Sequence, residues 1–318
     1  MLLGIEIGGT KLQVGLGTEP GRLLALERRV VDPEGGAVAI RERIAEAVET
    51  LLSHSKVSKS QVEGVGIGFG GPVDPLRGLV VESHQIQGWT GFNLREWVEQ
   101  RLGFRRVLLQ NDADTAGLGE AAIGAGRGVS PMLYVTIGSG IGGGLIVDGQ
   151  IYRGNGAGAI EIGHLWVYLP GESPTKLEHL ASGWAIVRRA RERLAGSTEF
   201  STLRAQEGGI AAITGVAVGD AAIGGDALAL SIIGQARNAL VQALAHSVTL
   251  LAPRRIILGG GVSLLPDPLW LDPIREGIDE WIFPQFRSTF DVFSANLGEE
   301  VVIHGALALA AQVARRNA

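Results

Sequence analysis

"TIGSGIGGG", residues 136–144, places five glycines in nine positions directly after the apolar run "MLYV". A backbone this bare lets another group come close. Gly138, Gly140 and Gly143 match the G-x-G-x-x-G spacing of a dinucleotide site, but such a site needs a helix straight after its glycines, where the pyrophosphate sits on the helix N-terminus. Here "GLIVDGQIY" follows, a β-branched run ending in a turn, so the spacing predicts a strand, glycine turn, strand hairpin and not a Rossmann unit.

The same plan opens the chain. A short apolar strand is predicted at 2–7, a "GGT" turn at 8–10 and a second strand at 12–16. Apolar residues at 37, 40, 44, 47, 48, 51 and 52 hold helical spacing, and a strand at 62–69, the turn "GGPVD", a helix at 94–101 and the strand "VLLQ" at 107–110 follow. From about residue 116 the plan returns, with "MLYVTI", the glycine turn, "GLIVDG", a long helix at 226–252 and the strand "RIILGG" at 255–260. Alternation of this kind predicts an α/β fold, and the repeated opening predicts two related domains facing a cleft.

Composition agrees. A chain of 318 residues has room for two domains, and 46% hydrophobic with 19% charged residues is a globular balance. The 48 glycines are read as turns and close-approach sites at strand ends. A net charge of −5 offers no general basic surface to nucleic acid, and "RRARER" at 188–193 is read as the solvated face of a helix. With no cysteine there is no disulfide framework and no thiolate metal site, which agrees with a cytoplasmic protein. The N-terminus lacks the basic segment and cleavage site of a secretory signal. The apolar segment 228–252 is interrupted by Gln235, Arg237, Asn238, Gln242 and His246, so it reads as a core helix and no membrane span is expected.

"GIEIGGTK" (4–11), "GFGGPVD" (68–74), "QNDADTAGLGE" (110–120), "TIGSGIGGGLIVDGQIYRGNGAGAIEIGH" (136–164), "LEHLASG" (177–183) and "IILGGGVS" (256–263) agree in order and spacing with one family over nearly the whole chain. The chain resembles the ROK (repressor, open reading frame, kinase) sugar kinases of the actin-like and hexokinase-like ATPase superfamily. The resemblance implies two ribonuclease-H-like domains around a central cleft: residues 1–115, completed by a C-terminal helix within 304–318, and residues 116–303. It further implies ATP with its phosphates between the two glycine hairpins and a hexose as acceptor. Successive exposed backbone N–H groups form an anion-binding concavity, which suits that role.

On this resemblance Asp112 is the general base that takes the hydroxyl proton, the competing reading being a cap on the helix from Ala113. Gly71, Asn111, Asp112, Glu161, His164 and Glu178 are the expected hexose ligands, with the Asn111 amide donating to one hydroxyl and accepting from another. Asp74 is read as tying down its turn. Gly8, Gly9, Thr10, Lys11, Gly138, Ser139 and Gly140 are the expected phosphate residues, and Gly259, Gly260 and Gly261 form the adenosine-side turn. A metal site built from Glu161 and His164, by analogy with helical E-x-x-H motifs, is the rival reading.

Three departures stand out. Glu6 occupies a position that is Asp in the family, where it helps hold ATP-bound Mg²⁺; one more methylene leaves it to serve the ion through a water. Asp114 replaces the usual Asn close to the base, where it either alters the pKa of the base or faces solvent. The loop "LWVYLPGESPTK" (165–176) lacks the cysteine cluster of many ROK proteins, so no zinc is expected and Pro170, Pro174 and packing of Trp166 or Tyr168 are expected to order it. The leading function is phosphorylation of a hexose hydroxyl, the 6-hydroxyl of glucose or a related sugar, by a homodimer or tetramer. A weakly active sugar sensor is the alternative. A DNA-binding regulator is not expected, because the phosphate turn begins at Gly8 with no room before it for a helix-turn-helix.

Overall fold

In a computed structural model of the protein, residues 1–83, 86–155 and 158–315 are described. Contacts divide the chain into two compact units, Met1–Tyr134 with Gly144–Ile160 and Ala295–Ala318, and Val135–Gly143 with Glu161–Ser294. The boundary expected at 115/116 falls inside helix α3 (Asp112–Ile123).

The first sheet consists of β1 (Leu2–Ile7), β2 (Lys11–Gly17), β3 (Leu23–Val30), β4 (Gly64–Phe69) and β7 (Val107–Asn111), in the order β3-β2-β1-β4-β7. β1 and β2 pair antiparallel, as do β2 and β3, while β1–β4 and β4–β7 are parallel. β3 was not foreseen, because "LLALERRV" is half-buried along its length and lacks clean alternation. A short antiparallel pair, β5 (Val73–Asp74) and β6 (Leu79–Val80), follows β4, and Asp74 Oδ1 accepts the N–H groups of Leu76 and Arg77 at 3.0 Å, as expected of a turn residue. Helix α1 (Gly36–Ser55) presents the predicted stripe, including Ile40, Ile44, Val48 and Leu51, to the core; α2 (Leu94–Leu102) is capped by Asn93 and buries Leu94 and Val98.

The second sheet contains β8 (Met132–Ile137), β9 (Ile141–Val147), β10 (Gln150–Ile151), β13 (Arg255–Gly259) and β14 (Asp291–Ser294), in the order β10-β9-β8-β13-β14. Counted along the chain, both sheets run third, second, first, fourth, fifth strand, so the duplication read from the glycine turns is present in the topology. β11 (Trp166–Val167) and β12 (Thr175–Lys176) form a small hairpin. Around these strands lie α4 (Glu178–Ala181), α5 (Gly183–Gly196), α6 (Gly215–Ile223), α7 (Ala227–Leu251) and α8 (Leu271–Trp281). The basic run at 188–193 lies on α5, with Arg188, Arg189 and Arg193 paired to Glu192, Glu172 and Glu199. Among the described residues no single helix is long and apolar enough to cross a membrane; α6 and α7 pass that test only together, across a bend of 110°.

The glycine content has a second source besides turns. Helix α9 (Val301–Arg315) returns to the first sheet and meets glycines at the start and in the middle of strands. A Cβ on Gly66 of β4 would stand 1.9 Å from the Ala306 carbonyl oxygen, and one on Gly64 would stand 2.3 Å from that of Ala310. On the helix side, a Cβ on Gly305 would come within 1.7 Å of the Thr115 oxygen of α3, and one on Gly119 within 2.6 Å of Val301. Backbone therefore packs on backbone, where the sequence reading placed glycines at strand ends. Gly66→Ala and Gly305→Ala are expected to lower stability by about 1–3 kcal/mol or more through overpacking, read as a lower urea midpoint. Gly196→Ala, which meets nothing within 4 Å, is expected to leave that midpoint unchanged.

Candidate active site

In the first unit, β1 and β2 join through the predicted turn, closed by Gly8 N–H donating to the Lys11 carbonyl at 2.8 Å; Thr10 is exposed. The end of β4 lies alongside, with Gly70 N–H donating to the Ile7 carbonyl at 2.8 Å. A Cβ on Gly70 would stand 3.4 Å from both Gly8 Cα and Asp112 Oδ2. A bare glycine thus separates the first glycine turn from the Asp112 carboxylate.

Asn111, not Asp112, is the N-cap of α3, with its Oδ1 accepting from Ala113 and Asp114 N–H at 2.8 and 3.4 Å. Its Nδ2 donates to the Gly71 carbonyl at 3.0 Å, which leaves one N–H for a ligand and turns the oxygen inward, away from the accepting role expected of it. Asp112 Oδ1 also receives the Ala113 N–H at 2.9 Å. Burial pushes the Asp112 carboxyl up to about 6, against the lowering effect of the Ala113 hydrogen bond and with a further push from the charge of Glu6. Asp114 does not simply face solvent: it lies half-buried against Gly144, whose Cβ would stand 3.0 Å from its Oδ1.

Glu6 is buried, and both of its oxygens are engaged: Oε1 meets Lys11 Nζ at 3.1 Å and Oε2 accepts from Gln13 Nε2 at 2.7 Å. Lys11 Nζ and Gln13 Nε2 also donate to the Glu299 carbonyl at 3.0 and 3.2 Å, ahead of α9. Burial holds the Glu6 carboxyl above its ordinary range, with Lys11 opposing. A carboxylate so committed does not fit inner-sphere coordination, and among the described residues no group of three or more His, Cys, Asp or Glu could hold a metal ion. A Mg²⁺ that arrived on a phosphate and kept its waters would meet Glu6 only through one of those waters. The rival site on Glu161 and His164 has no third ligand among the described residues, and Glu161 precedes and His164 ends a short 3-10 turn where no helix was expected.

In the second unit the expected ligands gather on the backbone of Ile141. Within the glycine hairpin Gly138 N–H donates to the Gly140 carbonyl at 2.9 Å. Glu178 Oε2 accepts the Ile141 N–H at 2.9 Å, and a Cβ on Gly140 would stand 2.5 Å from that oxygen. A Cβ on Gly163 would stand 2.3 Å from the Ile141 carbonyl oxygen, so the segment with Glu161 and His164 is pressed against the same residue. Glu161 and His164 are both exposed.

A cavity of about 610 Å³ opens beside the hairpin, a volume in the range of small-molecule sites. Gly138, Ser139 and Gly261 line it with Trp184, Val216 and Leu264. Gly260 is held at φ 86°, where a Cβ would stand 2.5 Å from the Ile137 carbonyl; Gly259 is the last residue of β13, its carbonyl accepting from Ser263 Oγ at 2.9 Å. Sequence reading missed the apolar lining, since Trp184, Val216 and Leu264 sit on three separate elements; their shared signal is large apolar side chains left exposed.

The loop at 165–176 meets expectation in part. Tyr168, though exposed, packs edge-on against Trp281 with ring centroids 6.5 Å apart, whereas Trp166, Pro170 and Pro174 are exposed and Val167 and Leu169 are buried. Gln242 brackets Tyr168, accepting its N–H at 3.3 Å and donating to its carbonyl at 2.7 Å.

The description of the ROK family matches residues 2–313. The chain belongs to the ROK family. This ROK chain is 33% identical over 324 residues to a glucokinase of Thermotoga maritima, covering 97% of this chain and 96% of that one. It is 32% identical over 309 residues to a glucokinase of Halalkalibacterium halodurans, covering 95% and 92%. Among solved structures, a ROK family glucokinase from Streptomyces griseus in complex with glucose and AMPPNP superposes with a TM-score of 0.82, at 34% identity and covering 98% of this chain and 99% of that one. The fold is therefore that of the ROK glucokinases, with the actin-like ATPase arrangement of strands in each sheet.

The charge of Glu6 bears on Asp112, so the two are expected to titrate together. In carboxyl-carbon NMR, Asp112 is expected to titrate near pH 6 in the native protein and at lower pH in Glu6→Gln. An unmoved titration would show that burial alone sets the value.

Proposed function

We propose that this ROK protein transfers the γ-phosphoryl group of ATP to a hexose hydroxyl, the 6-hydroxyl of glucose or a close relative, with Asp112 as general base. The observation that carries the reading is an aspartate held near 6 beside a glycine turn, in a chain related over nearly its whole length to glucokinases. A carboxylate at that value is ionised at neutral pH and remains a better proton acceptor than an ordinary aspartate.

The hydroxyl proton passes to Asp112, the hydroxyl oxygen forms a bond to the γ-phosphorus, and the bond from that phosphorus to the β-γ bridging oxygen breaks to release ADP. Phosphoryl transfer of this kind is mostly positioning and charge neutralisation. Gly8, Gly9, Thr10 and Lys11, with Gly138, Ser139 and Gly140, serve the phosphates. Gly259, Gly260 and Gly261 serve the adenosine side, whose base takes the apolar cavity beside Trp184. Gly71, Asn111, Glu161, His164 and Glu178 serve the sugar; Oε2 of Glu178 is anchored on Ile141, which leaves Oε1 for a hydroxyl. Mg²⁺ bound with ATP would supply neutralising charge on the phosphates, and Glu6 would serve it through a water. A cytoplasmic homodimer or tetramer, divided into the two domains read from the sequence, belongs to the same proposal by family resemblance.

Assayed by ADP release over a panel of hexoses, Asp112→Asn is expected to lower kcat by roughly 10² to 10⁴. In the native enzyme kcat/KM is expected to fall as pH drops below about 6. Stability moves the other way. A carboxyl raised on folding favours the folded state fully below its unfolded value of 3.8 and loses that contribution as pH rises through about 6. Asp112→Asn is therefore expected to melt above the native protein at pH 8, with the gap closing toward pH 4. Turnover that survived the substitution would remove Asp112 as the base.

A further inference from the structure

His164 ends the 3-10 turn Ile162–His164 with its ring exposed, and its Nδ1 lies 3.0 Å from Lys176 Nζ. A lysine ammonium donates and cannot accept, whereas a neutral imidazole carries one N–H and one lone pair. Lys176 is therefore the donor in this contact. The lone pair sits on Nδ1 and the ring proton on Nε2.

The contact is built into the fold. Lys176 pairs with Trp166 across the β11–β12 hairpin, and Leu177 N–H donates to the Leu165 carbonyl at 2.8 Å one step nearer His164. Buried Val167 and Leu169 anchor one arm of that hairpin, and buried Leu177 the other. This is the loop that lacks a cysteine cluster, so the nitrogen of His164 that faces it meets an ammonium there.

The tautomer matters for a polyol. Ionised Glu161 and Glu178 only accept hydrogen bonds, so each hydroxyl that donates to them has its own lone pairs left to satisfy. An Nε2–H supplies a donor among acceptors. With the proton on Nδ1, a third acceptor would stand in its place and the hydroxyl oxygen would lose a partner.

We propose that Lys176 is a positioning residue that locks His164 in the Nε2–H tautomer, so that the ring meets the hexose as a hydrogen-bond donor. The proposal rests on the reading of His164 as a hexose ligand, and the test separates the two. Protein labelled with ¹⁵N at its six histidines is examined by long-range ¹H–¹⁵N correlation without sugar, with His164 assigned by its loss in His164→Gln. The native protein is expected to show His164 as the Nε2–H form, Lys176→Met a mixture of both tautomers, and Lys176→Arg the Nε2–H form again. In kinetics, Lys176→Met is expected to raise the hexose KM by about fivefold to tenfold with kcat nearly unchanged, the loss of one ordinary hydrogen bond, and Lys176→Arg is expected to recover most of it. An Nδ1–H ring in the native protein, or an unaltered Nε2–H ring in Lys176→Met, overturns the lock. A hexose KM unmoved in His164→Gln overturns the hexose-ligand reading and leaves the tautomer result to stand on its own.

Discussion

Backbone contact between α9 and the first sheet is the constraint on which the catalytic half of the protein depends. Gly64 and Gly66 remove the side chains that would hold the helix away, and Gly305 and Gly119 do the same between α9 and α3. The segment that leads into α9 is thereby fixed against α3, where the buried Glu120 carboxylate accepts the N–H groups of Asn296 and Leu297 at 2.8 and 2.9 Å. Three residues on, the Glu299 carbonyl accepts from Lys11 and Gln13, the two side chains that hold Glu6. The N-terminus of α3 carries Asp112. One packing arrangement thus places Asp112, the glycine turn and its lysine within a common frame.

Electrostatics at this site run against stability. Asp112 is ionised at neutral pH in a position whose burial favours the neutral acid, and the charge of Glu6 adds to the cost. Glu6 itself is desolvated and is compensated by one ammonium and one amide. Arrangements of this kind store destabilisation where chemistry needs it and rely on the surrounding packing to hold it. The glycine-seated helix, with its wide buried face from Val302 to Ala311, is that packing.

Much of the fold was legible because the repeated strand, glycine turn, strand opening has a periodicity that switches sharply between strand and helix. β1, α2 and β13 fall within a residue or so of their predicted spans. β3 escaped because a half-buried outer strand need not alternate. The mid-strand glycines were misplaced at turns because their partner, α9, lies over 200 residues away, and no local pattern reports a helix returning from that distance. In the site, Asp112 and Asn111, Glu161 and His164, and Glu178 were readable as members of three short motifs, whereas the meeting of the last two motifs at Ile141 was not. The side-chain bond from Lys176 to His164, the capping role of Asn111 and the apolar cavity lining were not, because each depends on where a side chain points once the backbone is folded. Glu6 is the instructive case: sequence showed a longer carboxylate, and the structure shows the extra reach spent on Lys11 and Gln13.

The central claim is that the frame around Asp112 performs phosphoryl transfer to a sugar. The most direct measurement is ³¹P NMR of the protein with ATP, Mg²⁺ and glucose carrying ¹³C at carbon 6. The account predicts one phosphate ester coupled to that carbon, formed in step with ADP. ADP with inorganic phosphate and no ester, or an ester on another carbon, would contradict it.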